Sequence, residues 1–197
     1  CSGIRVFGRR IKSLVFSTDV AIIKNINADA IIAVYPFTPQ PAITQAIIGV
    51  SEVPVFCGVG GGLTNGVRSA SMAAYVEHQG AYGVVCNSKI GVETIHAIKD
   101  AVEIPVVYTV ISENTDIQPY LTAGVDIINV SGAARTPEIV GTLRQRYPEL
   151  PIIATGGPTE ESILATIRAG ANAITYTPPS SAALFAKTMA DNRSELE

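Results

Sequence analysis

Three side chains that could act as acids, bases or carbonyl-binding groups follow short apolar runs of the sequence: Asp19, Lys89 and Glu113. A carboxylate can take a proton from a carbon next to a carbonyl. A lysine can polarise that carbonyl, donate a proton or form a Schiff base. If the apolar runs are parallel strands of one barrel, their C-terminal ends open into a common space. The sequence therefore predicts proton transfer there, with Asp19 or Glu113 as the base and Lys89 as the electrophile.

Each of these residues also has a purely structural interpretation. Asp19 is placed to cap the helix that follows it, and Glu113 lies in a polar loop with Asp116. Lys89 would be an ordinary solvated cation in the first turn of its helix. A helix N-terminus disfavours a cation, and this makes a functional role for Lys89 more plausible.

The strongest local motif is the turn Thr155-Gly156-Gly157. Two glycines let the backbone approach a ligand and present N–H groups to an anion, and a helix N-terminus follows. Thr159 precedes that helix, although Ser162 stands where a full capping box has Glu. The loops after the seventh and eighth strands form the usual phosphate site of barrels. We therefore predict that Gly156 and Gly157, with Ser180 and Ser181, bind a phosphate or carboxylate.

A second glycine run, Gly58 to Gly62, follows the third apolar run. It could be a second anion cradle or the hinge of a flexible lid, and such a run alone is a weak signal. The further residues predicted to line the mouth are Gly60, Gly61, Asn87, Asn129, Ser131, Thr155 and Thr177.

The elements that position these residues form a strict alternation of apolar runs and amphipathic segments. The predicted strands are Ser13–Ser17, Ala30–Val34, Val55–Gly58, Gly83–Cys86, Val106–Val110, Asp126–Val130, Ile152–Ala154 and Ala173–Tyr176. The predicted helices are Val20–Ile26, Pro41–Ile48, Val67–Gln79, Gly91–Ala101, Ile117–Ala123, Pro137–Arg146, Glu160–Arg168 and Ser180–Met189.

These strands are continuously apolar, as in a parallel sheet covered on both faces. The turn after the first strand has no glycine, whereas an open doubly wound sheet carries its glycine fingerprint there. The sequence thus predicts α/β structure in one domain spanning residues 1–197, a single (β/α)8 TIM barrel with outer helices.

The two halves of the chain resemble each other. Ala28–Ile32 matches Val125–Ile128, and Val53–Val55 matches Leu150–Ile152, with offsets between 90 and 98 positions throughout. This indicates two half-barrels in tandem, although any βα repeat produces some such matches.

Composition narrows the class of partner. Hydrophobic residues make up 47% of the chain and charged residues 16%, and the net charge of −3 offers no basic surface to nucleic acid or anionic lipid. No apolar run has the length of a membrane span, and no signal peptide is recognisable. We expect a small, anionic substrate, and a homo-oligomer because thin helices leave apolar surface exposed.

The three cysteines, Cys1, Cys57 and Cys86, are too scattered for a disulfide framework and suggest a reducing, cytoplasmic setting. Cys57 and Cys86 end neighbouring strands without a nearby histidine, so small core residues are expected rather than a zinc site. His78 and His96 are expected on outer helices. No cofactor or metal is predicted.

The final third of the chain resembles the ribulose-phosphate-binding barrels, which include keto-deoxy-phosphogluconate aldolase, N-acetylmannosamine-6-phosphate epimerase and thiamine-phosphate synthase. The resemblance runs through Gly124–Ile128, Pro151–Gly157 and Ala169–Ile174. It implies a phosphate-binding barrel and no particular reaction.

Two departures from that family stand out. Pro178 and Pro179 follow the last strand, where the family has a small pair whose amides hold phosphate, and proline has no N–H. The family's aldolases carry a Schiff-base lysine in the sixth strand, where this chain has Ile127–Val130. A class I aldolase of that kind is therefore not expected.

The leading hypothesis is an epimerase, isomerase or lyase that acts next to a carbonyl of a phosphorylated or carboxylated metabolite. The alternative is a catalytically silent barrel that senses a metabolite. It would explain why the lysine of the family's aldolases is missing and why few carboxylates are predicted at the mouth. An FMN-binding barrel is the third possibility.

Overall fold

The computed structural model describes residues 1–194 and shows eight parallel strands closed into a barrel. A two-stranded antiparallel hairpin precedes the barrel. A helix follows each strand of the barrel. The strands are β1 (Ile4–Val6), β2 (Arg9–Ile11), β3 (Ser13–Phe16), β4 (Ala30–Ala33), β5 (Val55–Gly60), β6 (Gly83–Cys86), β7 (Val106–Val110), β8 (Ile127–Val130), β9 (Ile152–Thr155) and β10 (Ala173–Tyr176). The helices are α1 (Val20–Lys24), α2 (Pro41–Val50), α3 (Val67–His78), α4 (Val92–Ala101), α5 (Gln118–Thr122), α6 (Thr136–Arg146), α7 (Glu160–Arg168) and α8 (Ser181–Ser194).

The predicted (β/α)8 barrel is confirmed. The strands β3 to β10 pair in chain order, and β10 closes the barrel on β3, with Tyr176 opposite Val15. The boundaries lie close to the predicted ones, because continuous β-branched runs bounded by Gly, Pro and Asn leave little freedom for a strand to shift.

The N-terminal hairpin was not predicted. Its turn places Phe7 and Gly8 at positive φ (45° and 81°), the conformation of a two-residue hairpin turn, although Phe-Gly is not a typical sequence for it. Ile4, Val6 and Ile11 of the hairpin are buried with the residues inside the barrel. The hairpin therefore closes the N-terminal end of the barrel, opposite the mouth.

The core has two layers, one inside the barrel and one between the strands and the helices. Cys57 and Cys86 belong to the outer layer, where burial raises the pKa of both thiols to about 12. His78 and His96 lie exposed on α3 and α4. None of the helices within residues 1–194 is long and apolar enough to cross a membrane.

Two aspartates at matching positions of the sequence repeat have the same structural role. Asp29, just before β4, accepts hydrogen bonds from the backbone N–H groups of Lys12 (2.8 Å) and Ser13 (3.0 Å). Asp126, just before β8, accepts one from Val106 N at 2.9 Å. Each aspartate thus ties down the start of the preceding barrel strand, as expected if the two half-barrels are equivalent.

Replacing Asp126 with alanine is expected to lower the free energy of unfolding by about 1–3 kcal/mol, because the N–H of the buried Val106 loses its acceptor. In a chain of this size that corresponds to a melting temperature lower by roughly 2–12 °C. Lys99→Ala is the control, since it removes only the half-exposed ion pair with Asp126 and should cost about 1 kcal/mol or less. Equal melting temperatures for the two variants, measured by calorimetry, would contradict this role of Asp126.

Candidate functional site

A cavity of about 530 Å³ opens at the mouth of the barrel, where the C-terminal ends of the strands converge. Its position is the one at which (β/α)8 enzymes carry their active sites. The residues that line it are Phe16, Ile32, Val34, Tyr35, Pro36, Phe37, Pro39, Gly58, Gly60, Gly62, Leu63, Thr64, Val85, Asn87, Lys89, Thr109, Asn129, Ser131, Thr155, Thr175 and Thr177.

The floor of the cavity is polar but uncharged. Thr109, Asn129, Thr155 and Thr175 project from β7, β8, β9 and β10, and the amide of Asn129 donates to the hydroxyl of Thr109 at 3.3 Å. The hydroxyl of Thr175 is buried and has no hydrogen-bond partner. A buried polar atom without a partner is costly, so a ligand group or a water that reached this hydroxyl would gain a hydrogen bond.

Lys89 is the one charged side chain among the described residues that line this cavity. It does not lie in the first turn of its helix, as its structural interpretation had it, because α4 begins only at Val92. Its loop is fastened by Asn87, whose side chain accepts a hydrogen bond from Lys89 N at 3.2 Å. Lys89 thus carries a positive charge at the rim, above a floor of hydroxyl and amide groups.

The glycine run between β5 and α3 supports the Lys89 loop. Asn87 N donates to the carbonyl of Gly60 at 2.8 Å, and Gly61 N donates to the carbonyl of Thr64 at the same distance. Gly60 lines the cavity, whereas Gly61 lies against the backbone of Asn87. Of the two predicted roles, a hinge is the weaker one here, because both glycines are held by backbone hydrogen bonds.

One wall of the cavity is apolar, and sequence reasoning missed it. It consists of Phe16 from β3, Leu63 from the glycine loop, and the segment Tyr35-Pro36-Phe37 after β4. Phe37 and Leu63 are 67% and 79% exposed, and exposed large apolar side chains beside a cavity are typical of ligand contacts. The signal available in the sequence was an aromatic pair flanking a proline directly after a strand.

Asp19 does not line the cavity. One carboxylate oxygen caps α1 by accepting from Ala21 N (3.1 Å) and Ile22 N (3.3 Å). The other accepts from the hydroxyl (2.6 Å) and the N–H (2.7 Å) of Ser181. These hydrogen bonds, first those from Ser181, hold the pKa of Asp19 below its usual value. A carboxylate so satisfied is a weak base, and the capping role foreseen as the alternative is the one present.

Glu113 also lies outside the cavity lining, paired with Arg135 on the loop before α6. Arg135 contacts Glu138 as well, at 3.3 Å. The backbone N–H of Glu113 itself and the Arg135 guanidinium lower the pKa of this carboxyl. Lowering its pKa weakens it as a general base near neutral pH. The structure therefore brings Lys89, but neither predicted base, into the mouth cavity.

The predicted anion corner is largely occupied by the chain itself. Gly156 N donates to the carbonyl of Thr175, and both donors of Ser181 are taken by Asp19. Ser180 accepts from Ala183 N at 3.1 Å, which makes it a cap of α8. Gly157 does not line the cavity. An anion at this corner stays a prediction, and Lys89 is the better placed counter-charge.

The helix α7 begins at Glu160 as predicted, but its cap differs from the sequence prediction. Thr159 accepts from Ser162 N at 3.2 Å, while the hydroxyl of Ser162 accepts from Thr159 N at 3.1 Å. Serine thus completes a reciprocal capping box in which glutamate was thought necessary. The N-terminus of α7 consequently has fewer free N–H groups to offer an anion.

Among the described residues, no three His, Cys, Asp or Glu side chains lie close enough together to hold a metal ion. Of the other predicted mouth residues, Asn87, Asn129, Ser131, Thr155 and Thr177 all line the cavity.

Comparison with known proteins shows the fold. No family model and no curated protein sequence matches the chain. A protein from Burkholderia cenocepacia J2315 assigned as a phosphonomutase is 17% identical, with a TM-score of 0.71 over 98% of this chain and 95% of that one. A 2,3-dimethylmalate lyase of the PEP mutase/isocitrate lyase superfamily is 14% identical, with a TM-score of 0.71 over 94% and 82%. A phosphonopyruvate hydrolase, solved with oxalate and Mg²⁺, is 17% identical, with a TM-score of 0.70 over 93% and 80%. At such identities the shared feature is the (β/α)8 barrel.

Replacing Thr175 with valine is expected to leave the melting temperature unchanged or slightly higher, because an unpaired buried hydroxyl is exchanged for a methyl group of similar shape. A ligand that bonds to this hydroxyl should bind about 5- to 150-fold more weakly, the equivalent of about 1–3 kcal/mol. Thr166→Val is the matched control, since Thr166 is equally buried but bonds within α7 at 2.9 Å. Unchanged ligand affinity in the Thr175 variant, measured by calorimetric titration, would remove Thr175 from the site.

Proposed function

We infer that the chain is an enzyme of the lyase type that cleaves a carbon–carbon bond next to a carbonyl in a small carboxylated or phosphorylated metabolite. The mouth cavity would bind the substrate, with its anionic or carbonyl oxygen at Lys89. The hydroxyl and amide groups of the floor would orient it, and its apolar part would lie against Phe37 and Leu63.

The observation that carries this proposal is the position of Lys89. It is a single cation facing a polar, uncharged floor and an apolar wall. A fixed positive charge next to a carbonyl stabilises the negative charge that develops on the oxygen in the transition state, more strongly than it stabilises the neutral ground state. Because Lys89 is the one cation of the described lining, it would both bind an anionic group and activate a carbonyl.

The composition of the lining favours a lyase over an epimerase. Removal of a proton from carbon needs a base, yet no Asp, Glu or His lies among the described lining residues. Cleavage of a β-keto carboxylate needs no base, because the electron pair of the breaking C–C bond moves to the carbonyl and carbon dioxide leaves. The resulting enolate would be held by Lys89 and then protonated by Lys89 or by water.

The structural neighbours give limited support. The names of two of them describe enzymes that act on carboxylated compounds, a dimethylmalate lyase and a phosphonopyruvate hydrolase. Their likeness to this chain concerns the fold, so the argument for the reaction depends on the mouth cavity itself.

A catalytically silent barrel that binds a metabolite is the second candidate. The observation that favours it is that both predicted carboxylates have partners outside the cavity lining: Asp19 is held by Ser181, and one oxygen of Glu113 is held by Arg135. Such a protein needs Lys89 only as a counter-charge for its ligand.

The two candidates are separated by incubating the protein in deuterated water with a panel of 2-keto and β-keto acids, with and without a phosphate group. A lyase of the proposed kind should release carbon dioxide from a β-keto acid and leave deuterium on the former enolate carbon, seen by NMR. A binding protein should raise its melting temperature with some of these acids and form no product. No product and no thermal shift with any of them would overturn both candidates.

A further inference from the structure

The turn that carries Lys89 runs from Asn87 to Ile90, between β6 and α4. Ile90 N donates to the carbonyl of Asn87 at 3.1 Å, which is the hydrogen bond that closes a β-turn. The side chain of Asn87 accepts from Lys89 N and from the hydroxyl of Ser88, both at 3.2 Å. These local hydrogen bonds give the turn its shape, but they do not fix its place on the barrel.

Two tyrosine hydroxyls hold this turn from outside. Tyr108 on β7 donates to the carbonyl of Ser88 at 3.3 Å, and Tyr120 on α5 donates to the carbonyl of Ile90 at 3.1 Å. These carbonyls belong to the residues directly before and directly after Lys89. The backbone on each side of Lys89 is therefore bound to a phenol from another element of the barrel.

The two tyrosines are themselves closely packed. Their rings stack with a centroid distance of 4.0 Å and an interplanar angle of 9°. Tyr108 is 1% exposed, and Tyr120 packs against the same outer layer of the core. Burial, and then the hydroxyl of Tyr120, raise the pKa of Tyr108, so its phenol keeps the proton that it donates. In a dense core neither ring can move without displacing its neighbour, so both hydroxyls have a defined position.

We propose that Tyr108 and Tyr120 are positioning residues, which fix the turn around Lys89 and thereby keep its amine in place at the mouth cavity. The inference rests on the proposed function, in which Lys89 stabilises the charge on the substrate carbonyl. Neither tyrosine lines the cavity, so both act through the backbone of the turn. Lysine has a long, flexible side chain, and a misplacement of about 1 Å in an active site can lower a rate about a hundredfold.

Phenylalanine variants separate this role from simple packing. Tyr108→Phe with Tyr120→Phe, made together, keeps the stacked rings and removes only the two hydroxyls; we call this protein the double variant. Tyr75→Phe is the matched control. Tyr75 on α3 packs against the same layer of the core, and none of the hydrogen bonds of the Lys89 turn involves it.

The first measurement is amide hydrogen exchange by NMR, which requires no substrate. In the double variant the amide protons of Lys89 and Ile90 should exchange roughly tenfold faster or more, because the turn opens once its two outside hydrogen bonds are lost. The amide of Val106, on the same strand as Tyr108, should keep its rate, and so should all three amides in the control. Unchanged rates at Lys89 and Ile90 would overturn the proposal.

The second measurement is a double-mutant cycle on the substrate found with the keto-acid panel. The double variant should lower kcat about ten- to a hundredfold and change KM by less than about threefold. In the Lys89→Met background the same two changes should lower kcat no further, because the tyrosines act through Lys89. An equal loss in both backgrounds would refute the positioning role.

Failure of the proposed function has a different signature. If Lys89→Met alone leaves kcat unchanged, Lys89 does not activate the carbonyl, and the catalytic part of this inference fails together with the proposed function. Faster exchange at Lys89 and Ile90 together with a normal cycle between Lys89 and the tyrosines is the combined result that supports both.

Discussion

The variant Lys89→Met is expected to turn over substrate roughly two to four powers of ten more slowly than the natural chain, whereas its affinity for the substrate should fall by a much smaller factor. The methionine keeps the length and apolar stem of the lysine but removes the charge that acts on the developing enolate. Ground-state binding depends on the floor and the apolar wall as well, so kcat should fall much more than KM rises. Steady-state kinetics on the substrate found with the keto-acid panel would measure both.

Lys24→Met is the matched control for this experiment. Lys24 ends α1 at the opposite face of the barrel, where it pairs with Glu52. Its loss removes one positive charge from the chain without touching the mouth. Unchanged kcat in the Lys89 variant would clear Lys89 of a catalytic role. An affinity loss without any product in either protein would favour the metabolite-binding barrel.

The second large effect is expected from Gly61→Ala. Gly61 has φ +100°, and a Cβ there would lie 2.8 Å from the carbonyl oxygen and 2.9 Å from the nitrogen of Asn87. Left-handed backbone strains alanine by about 1–3 kcal/mol, and the contact would push Asn87 and with it Lys89. The melting temperature should fall by roughly 2–12 °C, and ligand affinity or turnover should fall as well. Thermal denaturation with and without ligand would show both effects.

Gly62→Ala, in the same loop, serves as its control. Nothing lies within 4 Å of a Cβ built on Gly62, and its φ is not in the left-handed range. This variant should keep the melting temperature; because Gly62 lines the cavity, the comparison concerns stability and not ligand affinity. If Gly61→Ala behaves in the same way as Gly62→Ala, the glycine loop does not position Lys89.

The sequence alone determined the fold and part of the polar lining of the mouth. Eight apolar β-branched runs, each followed by an amphipathic segment, predict a closed parallel barrel. The strand boundaries follow from the residues on either side of each run. Because strand ends in a barrel converge, Asn87, Lys89, Asn129 and Thr155 could be assigned to the mouth without coordinates. The burial of Cys57 and Cys86 followed from the same pattern.

Only the tertiary structure decided which polar groups are already satisfied. Asp19 and Ser181 are 162 positions apart, and their hydrogen bonds depend on β10 closing next to β3. Glu113 meets Arg135 across two neighbouring loops in a similar way. Spacing along a chain shows which strand a residue follows. It does not show which residue, distant in sequence, forms hydrogen bonds with it. The unpaired hydroxyl of Thr175 is likewise visible only in three dimensions, because burial is a property of the assembled neighbours.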